Sequence, residues 1–136
     1  MKIKLLILLI APLLLMNCKE EDDEGNLYVG AWVGISVEAS ECNSDGDNFK
    51  SDLACDDNSC NKLTLNNDGT FAFQEGLPTR TGTWSVSGTI LTLCVNEEDE
   101  LLCDEYTNTL GSRLILSLVS ESTGCNTTIT FERESV

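Results

Sequence analysis

The sequence predicts an all-β domain, an eight-stranded antiparallel up-and-down barrel with a disulfide-stapled long loop. Three observations predict it. From Leu27 onward, apolar residues recur at alternate positions in short runs, and no segment repeats with the 3.6-residue period of an amphipathic helix. The runs are separated by turn-forming steps such as Asp68-Gly69 and Ser87-Gly88, with mostly short sequential connections. At 136 residues and 41% hydrophobic composition, the chain has material for one core and hardly for two. A sandwich of the same strands would read alike, because periodicity does not report closure.

The first strand is expected over about Val29 to Glu38, with Val29, Ala31, Val33, Ile35 and Val37 on one side. Residues 39–61 are rich in Ser, Asn, Asp and Cys with little to bury, so they are expected to form a long loop that Cys42, Cys55 and Cys60 hold in place. Lys62 to Leu65, the turn Asn66-Asn67-Asp68-Gly69, and Thr70 to Phe73 form the clearest hairpin, since an Asp-Gly step between alternating runs matches the handed turn that two twisted strands require. Thr81 to Val86 turns at Ser87-Gly88 into Thr89 to Val95. An acidic loop over 96–100 leads into Leu101 to Thr107, and Arg113 to Val119 and Asn126 to Arg133 complete the eight.

Ahead of this domain the character changes. Met1-Lys2-Ile3-Lys4 is a short basic start, and Leu5 to Met16 is apolar apart from Pro12. The run is too short to span a bilayer comfortably and is followed by acids, so residues 1–17 read as an export signal. Leu15-Met16-Asn17-Cys18 resembles the lipobox of bacterial lipoproteins, in which a Leu three places before the cysteine precedes lipidation and cleavage; Asn17 stands where Gly, Ala or Ser is usual. The resemblance implies that Cys18 is the acylated first residue of the mature chain and that the partner there is a membrane, held stably by two or more acyl chains. Lys19 to Asn26 has no apolar residue to bury, so 18–26 is expected to be a lipidated, acidic tether leading to a domain over 27–136. This stretch also resembles the lysine-plus-acids segment of surface-exported lipoproteins of Bacteroidetes, which implies an outer-membrane location and a domain exposed outside it.

Six cysteines remain: Cys42, Cys55, Cys60, Cys94, Cys103 and Cys125. An even set in an exported domain reads as three disulfides. Zinc is the competing reading, but there is no Cys-x-x-Cys pair and no His. A hairpin turning near Glu98 and Asp99 would set Cys94 opposite Cys103, within bridging distance. The other four would tie the long loop to itself and to the last strand.

Gly30-Ala31-Trp32 resembles the Gly-x-Trp signature of lipocalins, and Asp68-Gly69-Thr70-Phe71 followed by Gly82-Thr83-Trp84 is similar to bacterial lipocalin-like lipoprotein domains. The resemblance spans about 27–133 and implies a barrel plugged at one end by Trp32. The chain is smaller than a typical lipocalin, its 39–61 segment is unusually rich in cysteine, and no C-terminal helix is evident. As ordinary residues of a small β domain, Trp32, Trp84, Phe71 and Phe73 read first as core and only second as ligand contacts.

The formal charge is −15, and loss of Lys2 and Lys4 with the signal leaves 6 basic against 23 acidic side chains, a net of −17. Nucleic acid is therefore excluded as a partner, since its binding depends on basic groups. The absence of His removes the usual general base, no motif marks a Ser-Lys or paired-carboxylate site, and no enzymatic activity or cofactor is expected. Asn43 to Asn48, with Asp52, Asp56 or Asp57, offers oxygen donors to a calcium ion but fails the EF-hand spacing, so no metal is expected. Two functions of different class remain: a structural or interaction lipoprotein acting through its loops, and a binding protein for a small apolar ligand inside the barrel. The bulk of Phe71, Phe73, Trp84, Leu91, Leu93, Leu116, Ile129 and Phe131 favours a mostly filled interior, with any opening small and away from Trp32.

Overall fold

One long strand organises the barrel. In the computed structural model, which describes residues 24–56, 59–75 and 78–135, β1 runs from Gly30 to Ser40 and has three partners. Along one edge its first residues pair with β3 (Asn61–Leu65) and its last with β2 (Phe49–Asp52); along the other it pairs with β9 (Asn126–Arg133). From β3 the strands follow in chain order through β4 (Thr70–Glu75), β5 (Arg80–Ser87), β6 (Ile90–Glu97), β7 (Glu100–Leu110) and β8 (Arg113–Val119) to β9, each antiparallel to the next. The β9–β1 pairing closes the ring. The result is the expected eight-stranded antiparallel barrel with β2 as one added strand, and no α-helix occurs among the described residues.

Where local pattern and tertiary pairing compete, the structure departs from the expectations. Val29, Ala31, Val33, Ile35 and Val37 do not share one side. Trp32 and Gly34 face the core, and a bulge between Gly34 and Ser36 leaves Ile35 as an extra residue. Beyond it the alternation inverts, so Val37 comes opposite Ile129 and Ala39 opposite Thr127 on the inner face. The 39–61 segment is not all loop: Ala39 and Ser40 finish β1, a 3₁₀ turn covers Asp45–Asp47, β2 covers Phe49–Asp52, and Asn61 begins β3. The acidic 96–100 segment stays in the ladder up to the Glu97–Glu100 pair, leaving a turn of only Glu98 and Asp99. The next strand runs on to Leu110 rather than stopping at Thr107. The expected tether ends early, since Glu24–Leu27 forms a 3₁₀ turn; Cys18 and residues 1–23 lie outside the described residues.

The hairpin at 66–69 forms where the Asp-Gly step indicated. Gly69 adopts φ +80°, and the exposed Asp68 carboxylate accepts hydrogen bonds from the Thr70 hydroxyl (2.6 Å) and amide (2.9 Å), which hold its pKa below the ordinary carboxylate value. Inside the ring Trp32, Leu63, Leu65, Leu91, Leu114 and Phe131 are each no more than 1% exposed. Against this cluster pack the partly buried Phe73, Trp84, Leu93, Tyr106 and Ile129. The fully buried residues gather toward the end where β1 begins and β9 finishes, and the partly buried Trp84 lies at that same end, against the 66–69 turn.

Candidate functional site

The two ends of the barrel differ in kind. The end at which β1 begins is sealed by the segment just before it. Trp32 Nε1 donates to the Tyr28 carbonyl at 2.8 Å, which turns the chain across the opening, and the Tyr28 hydroxyl donates to Asn108 Oδ1 at 2.7 Å on the far side. Arg133, at the end of β9, lies over the Trp32 ring with its guanidinium carbon 4.3 Å from the ring centre. From there it donates to the Val29 carbonyl at 2.9 Å and the Leu27 carbonyl at 2.8 Å. Gly30 permits this arrangement: its φ is +139°, and a Cβ there would come 2.8 Å from Arg133 Nη1. Trp84, on β5, donates from Nε1 to the Asn66 carbonyl at 2.9 Å, and its ring lies 6.4 Å from that of Tyr28.

At the opposite end lie the three disulfides, two of which anchor irregular chain. Cys42–Cys125 joins the end of β1 to the start of β9, and the adjacent Asn43 amide donates to the Thr123 carbonyl at 3.0 Å. Cys55–Cys60 closes the loop on itself. Leu53, just after β2, donates its amide to the bulged Ile35 carbonyl at 2.8 Å and rests against Gly34, where an added Cβ would lie 3.2 Å from Leu53 Cδ1. The 39–61 segment therefore covers part of this mouth. Cys94–Cys103 crosses between β6 and β7 on the outer face, opposite to Leu93 and Val95.

The mouth remains uncovered on the β5–β7 side. Leu102 and Asp104 occupy inward positions of the ladder yet are exposed, Leu102 by 44%. An opening of about 300 Å³ is lined by Phe73, Glu75, Pro78 and Arg80. Arg80 faces inward from β5, and its guanidinium makes no hydrogen bond or ion pair among the described residues. Tyr106 lies between this rim and the core. Its burial raises the phenol pKa above the ordinary value, the nearby Asp104 carboxylate adds to the rise, and Arg80 opposes it. The opening is thus a shallow amphipathic recess, with Phe73 and Pro78 as its apolar wall and the Glu75 carboxylate and Arg80 guanidinium as its charged groups, and Tyr106 is not part of its lining.

Of the residues singled out by sequence, Trp32 and Phe71 are buried, and Phe73 and Trp84 are partly buried against the same core. The six cysteines are paired as above, and Cys18 lies outside the described residues. The oxygen-rich 43–48 segment is docked on the β8–β9 connection, and no cluster able to hold a metal occurs among the described residues. Sequence reasoning missed Tyr28, Asn108 and Arg133. For Asn108 a signal existed: it is the amide in the alternating series Leu102, Asp104, Tyr106, Asn108, Leu110, at the depth where that series goes inside. Comparison of the chain with protein-family models, curated proteins and solved structures found no match.

Proposed function

We propose that this chain is a lipid-anchored lipoprotein of the cell envelope, held by acyl chains on Cys18, whose lipocalin-like barrel is a structural or interaction module acting through its loops. The observation that carries this reading is the division of labour between the two ends. The segment descending from Cys18 enters at the sealed end, whereas the stapled 39–61 segment and the β6–β7 hairpin stand at the other. That hairpin carries Leu101, 62% exposed, beside Leu102 and four consecutive acids from Glu97 to Glu100. An outer-membrane location with the domain facing outward accords with the acidic tether, and three disulfides accord with an oxidising compartment. Within this reading the protein is not an enzyme, uses no cofactor and does not bind nucleic acid.

Metabolic labelling with a fatty acid tests the anchor. The wild-type chain is expected to take up label and to fractionate with membranes, and Cys18→Ala to yield an unlabelled, folded, soluble domain; an unlabelled wild-type protein would refute the anchor. A photo-crosslinking residue at Leu101 tests the interaction role, with a discrete adduct expected on intact cells and none from Val86. The recess at the uncovered mouth favours a second reading, a small amphiphile seated on Phe73 and Pro78 beside Arg80. A stoichiometric fatty acid, sterol or haem in native mass spectrometry of the purified protein would promote that reading over the first.

A further inference from the structure

Asn108 is a polar residue at a core position, 5% exposed, and only half of its amide is used. Oδ1 accepts from Tyr28, but Nδ2 has no hydrogen-bond partner among the described residues and is shielded from solvent. A leucine would fill the same inward site on β7 without leaving a buried donor unpaired, and such donors are rare because their desolvation is not offset. Asn108 also forms part of the wall of an opening of about 430 Å³ at the sealed end, whose lining includes Leu27, Tyr28 and Leu110 with Thr89 and Thr109.

We propose that this opening binds a neutral acyl group, whose ester or amide carbonyl oxygen accepts a hydrogen bond from Asn108 Nδ2 while its aliphatic chain lies along Leu27 and Leu110. The charge balance selects the chemistry. No Lys or Arg lines the opening and the whole chain carries −15, so an anion would find no compensation there, and a cation would meet an N–H donor. A neutral acceptor attached to an alkyl chain satisfies both the donor and the apolar wall. Leu27, on the rim of the opening, is 67% exposed and ends a single 3₁₀ turn. The source is close at hand: Leu27 is nine residue steps from Cys18, a chain length that reaches at most about 30 Å. The acyl group can therefore come from the anchor of the chain itself, a source that rests on the lipoprotein reading, or from a bilayer lipid.

The barrel ladder and all three disulfides lie within 24–135, so the chain from residue 18 onward carrying Cys18→Ala is expected to fold without its lipid. Nitrogen-15-labelled protein of this kind is titrated with monooctanoylglycerol and, in parallel, with the octyl ether of glycerol, which lacks the carbonyl. The ester is expected to shift the Asn108 side-chain amide resonances and to bind about tenfold or more tightly than the ether. Asn108→Leu should abolish that preference; if this variant does not fold, the ester–ether comparison on the unaltered site decides alone. Equal binding of the two probes, or an Asn108 amide unmoved by either, would overturn the proposal and leave a buried water only. Neutral phosphatidylcholine vesicles then separate the sources. A shifted amide in the lipidated wild type but not in Cys18→Ala assigns the protein's own anchor, and a shift in both assigns bilayer lipid. An unlipidated wild type would sink the anchor while leaving the glycerol ester titration intact.

Discussion

Arg133 ties the last strand to the segment that seals the barrel, through one cation–π contact and two hydrogen bonds to carbonyls. Arg133→Ala should therefore lower stability by about 2 kcal/mol, measured by urea unfolding followed by tryptophan fluorescence; a loss indistinguishable from zero would mean that the seal holds without it. Tyr106 shows how a residue of the mouth reports its surroundings. Because burial and Asp104 raise its pKa, its neutral form is favoured in the folded state. Its contribution to stability is complete below the unfolded tyrosine value of about 10 and is lost as pH rises through the higher folded value. Phenolate absorbance, assigned by its loss in Tyr106→Phe, should titrate above the usual tyrosine range. Replacing Asp104 by Asn should bring the midpoint down and replacing Arg80 by Ala should push it further up; opposite movements would show that these groups do not face the phenol. Neither relationship was legible in the sequence. The partners of Arg133 lie 104 and 106 residues away and that of Tyr28 lies 80 away, so no local pattern marks them.

The β6–β7 hairpin is built against its own turn. Glu98 and Asp99 hold φ of +49° and +69°, a left-handed pair that Asn-Gly adopts far more readily, and Glu97 stands directly opposite Glu100. The Cys94–Cys103 bridge, three ladder pairs below the tip, holds the two strands together despite this. Replacing Glu98-Asp99 with Asn-Gly should stabilise the domain by about 1 kcal/mol in calorimetry, and a destabilised variant would show that the acids make contacts that outweigh the backbone strain. Elements whose stability is local were legible: the runs 62–65, 70–73, 81–86, 89–95, 113–119 and 126–133 combine alternation with turn residues, and each lies within or within one residue of a strand of the barrel. Gly82 of the Gly-Thr-Trp block also has a local reason, because a Cβ there would overlap the Cys94 carbonyl oxygen across the ladder. The strand at 49–52 was not legible. Phe49-Lys50-Ser51-Asp52 buries no face and exists because β1 extends past the end of β3, leaving backbone groups that a second partner can pair. The bulge at Ile35 is hidden for a similar reason, since it reconciles β1 with β9 and leaves no mark in the alternation of β1 alone.

At the scale of the molecule, an acidic barrel must hold together against its own charge. The whole chain has eight basic against 23 acidic side chains, and the ion pairs Lys50–Glu38, Lys62–Glu134 and Arg113–Glu132 of the barrel are solvent-accessible, where such pairs contribute little. Cross-links act on the other side of the equilibrium by restricting the unfolded chain, and they do so unequally. Cys42–Cys125 spans 83 residues and Cys55–Cys60 only 5; chain entropy assigns about 4 to 5 kcal/mol to the first and about 2 kcal/mol to the second. The longer bridge also docks the 39–61 segment, through Asn43, on the β8–β9 connection, so its loss frees an edge of the mouth as well. Against the roughly 5 to 15 kcal/mol by which domains of this size are stable, the first bridge is a large share. Replacing Cys42 and Cys125 together with Ser should therefore cost about twice as much in urea unfolding as replacing Cys55 and Cys60. It should also make folding salt-dependent, because the weakened barrel then relies on screening of its like charges, with midpoints rising as sodium chloride is added. Equal losses for the two double variants would mean that the 42–125 bridge is not what holds the first and last strands together.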